Sequence, residues 1–201
     1  MLVAGIKSRP VYRGLDIQPH ARRHVFALEG EGALALLDRR AALDGPILSR
    51  SEILYAPCGS QGRGHDEALL GLGAGAFCTV PSIATLVFRL NGTLATARMG
   101  TRLYISGTEG FIGQAMAVAL DRGMDHASVI TEHRGSLARR VQCVHCKGIT
   151  EDVTTSPFAC GHCGLALLVR DHYSRRLGAF QGVNVDAEEP GTAPAPEELF
   201  R

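Results

Sequence analysis

GTRLYISGTEGFIGQAMAVALDRGMDHASVITEHRG, residues Gly100–Gly135, is the stretch whose reading decides the fold. The short apolar run Leu103–Ser106 predicts a strand, Gly107–Gly110 a turn, Phe111–Arg122 a helix, and Ala127–Thr131 a closing strand. A strand, helix and strand within so few residues is a parallel crossover unit, and parallel sheets need helices on both faces.

The same alternation repeats upstream. In RHVFALEGEGALALLDRR, from Arg23, an apolar run at Val25–Leu28 meets a glycine turn and then apolar residues at helical density over Ala33–Leu37. EILYAPCG at Glu52–Gly59 predicts another strand, followed by a glycine-rich loop and the helix-like HDEALLGL. AFCTV at Ala76–Val80 predicts a third strand; PSIATLVFRLNGTLATA then predicts a helix, with Pro81 in its first turn and its end near Asn91 or Ala97. The sequence therefore predicts an α/β domain over 20–135, an open parallel sheet of four or five strands, preceded by a leader segment at 1–19.

Downstream lies CVHCKGITEDVTTSPFACGHCG, Cys143–Gly164, with four of the six cysteines in two C-x-x-C pairs. Four thiolates close a tetrahedral shell around one ion, so Cys143, Cys146, Cys160 and Cys163 are the predicted metal ligands. Gly148 and Gly164 are expected to let each knuckle turn tightly. Zinc in a closed four-sulfur shell is structural; a single iron in a rubredoxin-like site carries one electron, and spacing does not separate the two. Zinc is the favoured ion. His145 and His162 could replace a cysteine, but four thiols already suffice. This predicts a four-cysteine metal module at 136–183, a zinc ribbon or rubredoxin-like knuckle with a strand such as LALLV at Leu165–Val169, and an acidic Pro/Ala-rich tail at 184–201. The tail is expected to lack a core of its own, though Leu199 and Phe200 could dock on a partner or on the parent domain.

Lys and Arg number 21 against 20 Asp and Glu, so net charge argues for neither nucleic acid nor an anionic membrane. Basic residues do rim the cysteine module: Arg134, Arg139, Arg140, Lys147, Arg170, Arg175 and Arg176, with Tyr173 among them as a stacking candidate. A nucleic-acid-binding ribbon is thus an alternative, with salt bridges to neighbouring protein preferred. No apolar run approaches the ~20 residues of a membrane helix, and the start is too short in apolar residues for a signal peptide. Paired cysteines in a chain read as cytoplasmic favour metal over disulfides. Cys58 and Cys78 are read as small buried apolar groups. Asp171, His172 and Ser174 stand too close in sequence to suggest a triad, and no catalytic residue is assigned.

Two turns sit where a parallel sheet binds phosphates. EGEG at Glu29–Gly32 and SGTEG at Ser106–Gly110 follow strands and open helices, making Gly30, Gly32, Ser106 and Gly107 candidate nucleotide-turn residues. Neither is a full G-x-G-x-x-G, and each carries a glutamate that would repel a pyrophosphate. A sheet retained without its nucleotide is the favoured reading.

Two resemblances follow from these residues. Gly100–His133 is similar to the end of the pyridine-nucleotide-binding domain of ferredoxin reductase-like flavoenzymes, with Ser106 and Thr108 where that family has Cys and Pro. The stretch ahead of His24 is too short for a flavin-binding barrel, so a complete reductase is not expected here. Secondly, IKSRPVYRGL, MGTRLYISGTEGFIGQAM, DHASVITEHRGSLARRVQCVHCKGITEDVTT and CGHCGLALLVRDHYSRRLGAFQGV together resemble the small A subunit of bacterial dimethylamine monooxygenase. The resemblance implies a heme-dependent oxidative N-demethylase that uses NADPH and oxygen to convert dimethylamine to methylamine and formaldehyde. It implies further that heme, flavin and iron–sulfur centres and a folate-binding function lie on partner subunits of a hetero-oligomer. This chain is then expected to be a component of that complex, not catalytic by itself.

Overall fold

In the computed structural model, which describes residues 8–58 and 64–201, the chain forms two compact units: Tyr12–Gly135, and Met1–Val11 with Ser136–Arg201. The start of the leader and most of the glycine-rich loop expected after the second strand lie outside the described residues.

The α/β unit runs β1 (Arg23–Glu29), α1 (Gly32–Leu37), α2 (Gly45–Ser49), β2 (Ser51–Ala56), α3 (His65–Leu70), β3 (Ala76–Thr79), α4 (Ile83–Leu94), β4 (Thr101–Gly107), α5 (Glu109–Asp121) and β5 (Val129–His133). Its five strands are all parallel in the order β3-β2-β1-β4-β5. The chain thus begins at the centre, winds outward through β2 and β3, then crosses back to place β4 on the other side of β1. That reversal is the topological switch of a doubly wound sheet.

Period-two alternation along β1 builds two cores from one strand. Val25 and Ala27 join Leu54, Leu103 and Ile105 beneath Leu86, Leu90 and Leu94 of α4 and Phe111 and Ala115 of α5. Phe26 and Leu28 face the other way, with Ile53, Tyr55 and Tyr104 against Ala33 and Leu36 of α1, Ile47 of α2 and Leu69 of α3. The spacing of Leu86, Leu90 and Leu94 is one turn each, which is why α4 lies flat on the sheet. Ser82 caps it, its hydroxyl accepting from the Thr85 amide at 3.2 Å. Pro81 therefore stands one residue outside the cap and not within the first turn, and the helix ends at Leu94. The short α2, capped by Asp44 with Pro46 in its first turn, had no clear apolar period to announce it.

The second unit contains β6 (Arg139–Cys143), β7 (Ile149–Val153), β8 (Thr155–Ser156), β9 (Phe158–Ala159), β10 (Ala166–Ser174), β11 (Ala179–Asn184) and β12 (Glu197–Glu198). Five of them form a sheet in the order β7-β6-β11-β10-β9, in which β6 and β11 are parallel and the other pairs antiparallel. The sequence reading found only the β10 strand. β6 turns Arg139 inward beside Val141 and Cys143, and β7 sets Thr150, Glu151 and Asp152 between Ile149 and Val153, so neither presents an apolar run that announces a strand.

The tail is tied to its own unit. β12 pairs with β8, and the Leu199 and Phe200 amides donate to the Thr154 carbonyl at 3.0 and 2.9 Å. The Arg139 guanidinium carbon lies 4.0 Å from the ring centroid of Phe200 and 4.0 Å from that of Phe180.

Candidate metal centre

The two knuckles bring the four thiols together in the second unit. Cys143 ends β6 and Cys146 closes the first turn; Cys160 follows β9 and Cys163 closes the second. All four sulfurs lie within 4.8 Å of one another. Cys143 Sγ is 3.9 Å from Cys163 Sγ, and Cys146 Sγ is 3.8 Å from Cys160 Sγ. A zinc–sulfur bond of ~2.3 Å in a regular tetrahedron requires sulfurs about 3.8 Å apart, so these separations match a four-thiolate shell around one ion. They are far too long for disulfides, and all six cysteines are free.

Backbone hydrogen bonds close each knuckle. The Cys143 amide donates to the Gly148 carbonyl and the Lys147 amide to the Cys143 carbonyl, at 2.9 and 3.0 Å. The second knuckle repeats this with Cys160 to Leu165 and Gly164 to Cys160. Burial pushes the Cys160 thiol up, but the Cys163 and His162 amides and the neighbouring thiols outweigh it and hold it down at about 6. For Cys163 the Leu165 amide pulls down, while burial and the sulfurs of Cys160, Cys146 and Cys143 push it up to about 12. Four thiols this close ionise together only around a cation.

Lys147 and Gly164 take the left-handed conformation after each second cysteine, at φ 64° and 75°. Gly148, expected to make the first turn, has a different task. A Cβ there would lie 2.4 Å from the His162 ring, so the glycine makes room for that imidazole. His162 Nε2 lies 2.8 Å from the Ile149 carbonyl, which can only accept, so the ring N–H donates; the atoms that converge on one ion are the four sulfurs, without His162. His145 is exposed.

Cys143, Cys160 and Leu167 are buried together, with Cys146, Phe158, Cys163 and Leu165 packed against them. The sulfurs thus form half of the unit's interior; the other half is Val141, Val153 and Phe180. Arg139, placed by sequence on a basic rim, is instead inside. Its side chain is 4% exposed and pairs with Asp171 at 2.8 Å. The signal was available: Arg139, Val141 and Cys143 share one face of β6. Arg140 pairs with Glu151 at 3.1 Å, Arg134 with Glu132 and Asp38 at 2.7 and 2.8 Å, and Tyr173 packs edge-on to Phe180. These side chains are engaged within the protein.

The candidate nucleotide-turn residues lie in the α/β unit. Gly30 has φ 53°, and its carbonyl accepts from the Tyr55 hydroxyl at 3.3 Å. Ser106 is fully buried and its Oγ has no hydrogen-bond partner among the described residues. Gly32 and Gly107 approach neighbouring backbone and side chain closely.

Comparison with known proteins bears on the cysteine module directly. Residues 4–129 match the family model of the dimethylamine monooxygenase subunit DmmA-like N-terminal domain, and residues 140–183 match the model of its C-terminal domain. This chain belongs to the DmmA-like family. The C-terminal match encloses all four cysteines. A relative, the heme-dependent oxidative N-demethylase delta subunit of Ectopseudomonas mendocina (strain ymp), is 37% identical over 110 residues, which is 55% of this chain and 63% of that subunit's length. Among solved structures, CYP116B46 from Tepidiphilus thermophilus aligns with a TM-score of 0.46 at 17% identity, over 67% of this chain and 19% of that one. The flavohem-like FAD/NAD-binding domain of nitric oxide dioxygenase from Vibrio cholerae O1 biovar El Tor aligns at 0.41 and 14%, over 63% and 56%. The fold of this DmmA-like chain rests on its own strand order and register. Among the described residues, no helix is long and apolar enough to cross a membrane.

Proposed function

We propose that this DmmA-like chain is a non-catalytic subunit of a dimethylamine monooxygenase complex, acting in assembly and docking, with zinc at Cys143, Cys146, Cys160 and Cys163. The observation that carries the reading is the closed four-sulfur shell inside the module that the family model matches. A closed shell leaves no position for water or substrate, so its contribution is to hold the module's surface in one shape. Chemistry is then left to partners: a heme-containing oxygenase subunit, a flavin and iron–sulfur reductase subunit and a folate-binding subunit, together carrying out NADPH- and oxygen-dependent N-demethylation.

Cys160→Ser in the co-expressed complex tests this. The account expects the substituted chain to lose its metal and fall away from the heme-containing fraction on gel filtration. A fully assembled, active complex after that substitution would overturn it.

A second reading is favoured by one feature. Cys146 and Cys163 are only partly buried, so one side of the shell approaches the surface. With a single iron, that exposure would suit a rubredoxin-like electron carrier. A colourless protein with stoichiometric zinc rules it out.

A further inference from the structure

Doubly wound sheets hold dinucleotides in the crevice outside the strand ends where the winding reverses, with the pyrophosphate on the following helix N-terminus. In this chain the reversal falls between β1 and β4, so the β1–α1 turn, where such sheets place the pyrophosphate, and the β4–α5 turn open on the same crevice. Three contacts fill that place. Glu29, the last residue of β1, is 6% exposed, and its Oε2 accepts the amide of Thr108, the N-cap of α5, at 2.7 Å. A Cβ on Gly107 would stand 2.5 Å from the same oxygen and 2.8 Å from the Glu29 Cβ, so the missing side chain accommodates Glu29. A Cβ on Gly32 would stand 2.0 Å from the Ser106 carbonyl oxygen, so the start of α1 lies directly against the end of β4. At both turns the glycine serves protein packing and leaves no cradle for a phosphate.

We propose that the Glu29 carboxylate is a built-in substitute for the phosphate this topology otherwise binds, so that the unit retains the sheet and has no dinucleotide site. The Thr108 hydroxyl accepts the Phe111 amide at 3.4 Å, which leaves the Thr108 amide itself at the positive end of the helix, where an anion is favoured, and Glu29 supplies one covalently. A ligand phosphate would have to displace it from the Thr108 amide and would face like-charge repulsion in a partly buried setting. If the function proposed above also holds, NADPH must be oxidised on another chain of the complex; the assignment of Glu29 does not depend on that.

Two measurements on the full chain test the assignment. Titration of the unaltered protein with NADPH, followed by nicotinamide fluorescence, is expected to show no saturable binding up to about 1 mM, the weak end of the affinity scale. Saturable binding overturns the proposal. Glu29→Ala is expected to lower the melting temperature of the α/β unit by about 5 °C. Formate or inorganic phosphate, compared with chloride at equal ionic strength, is expected to restore most of that loss and to leave the unaltered protein unmoved. An unchanged melting temperature, or a loss that neither anion repairs, overturns it. Should Glu29→Ala fail to fold, refolding yield is read instead: a yield that rises with formate supports the substitution of anion for anion, and an equal yield in chloride overturns it.

Discussion

In the α/β unit, β1 alone sends Val25 and Ala27 into one core and Phe26 and Leu28 into another, each closed by helices. In the four-cysteine unit the interior is Val141, Val153 and Phe180 on one side and Cys143, Cys160 and Leu167 on the other. The first unit is stabilised by apolar area on two faces of a sheet, at roughly 25 cal/mol per Å² removed from water. The second has too few apolar side chains for that and places sulfur where a larger domain would place leucine. Small units of this kind need a staple, and four thiolates around an ion provide one.

That contrast is most sharply tested by taking the metal away. Chelation, or Cys160→Ser, removes a contribution that for structural zinc is on the order of 10 kcal/mol, so the C-terminal unit is expected to unfold. Amide exchange should then become fast across β6, β10 and β11 while β1 and β4 stay protected. Equal loss in both units would break the comparison. Phe111→Ala, fully buried on α5, is the converse. It should cost about 3–5 kcal/mol in denaturant melts of the α/β unit and leave metal content unchanged.

A smaller effect is expected from the tail. Phe200→Ala removes one of the two rings that contact the Arg139 guanidinium and should cost about 1 kcal/mol, seen as faster exchange at Leu137 and Leu199. Leu137 reports because its amide donates to the Arg201 carbonyl.

The mildest expected effect is on acid sensitivity, and it belongs to the other unit. His24 is fully buried beside the stacked rings of Phe26 and Tyr104, its centroid 6.3 and 5.8 Å from theirs, with Nδ1 3.2 Å from the Tyr104 hydroxyl. Burial, and then the Arg50 charge, lower its pKa despite the pull of Asp44. The unfolded chain therefore binds more protons than the folded one below about pH 6.5, and stability falls as pH drops through that value. His24→Gln should flatten this limb of the melting curve; an unchanged slope would show that other groups carry it.

Legibility in the sequence followed the same division. Leu103–Ser106, Val25–Leu28 and the Leu86, Leu90, Leu94 period are properties of buried apolar patterns, and patterns survive without coordinates. The cysteine pairs were legible because metal geometry fixes spacing. What the sequence hid depended on long-range contacts. Glu29 and Thr108 are 79 residues apart, so a glutamate that reads as a repulsive neighbour of a glycine turn could not be seen as the acceptor of the Thr108 amide. Gly148 looked like a turn residue because nothing local reveals that the His162 ring lies over it. Phe200 could be read as a docking residue but its site could not be named, since its partner Arg139 is also far away in sequence and was counted among surface charges.

The central claim, that the four sulfurs close around a structural ion and not a working one, is tested most directly by metal analysis of the purified full chain together with its absorption spectrum. The account predicts about one zinc per chain and no visible band. Stoichiometric iron, with a thiolate charge-transfer band that bleaches on reduction, would contradict it.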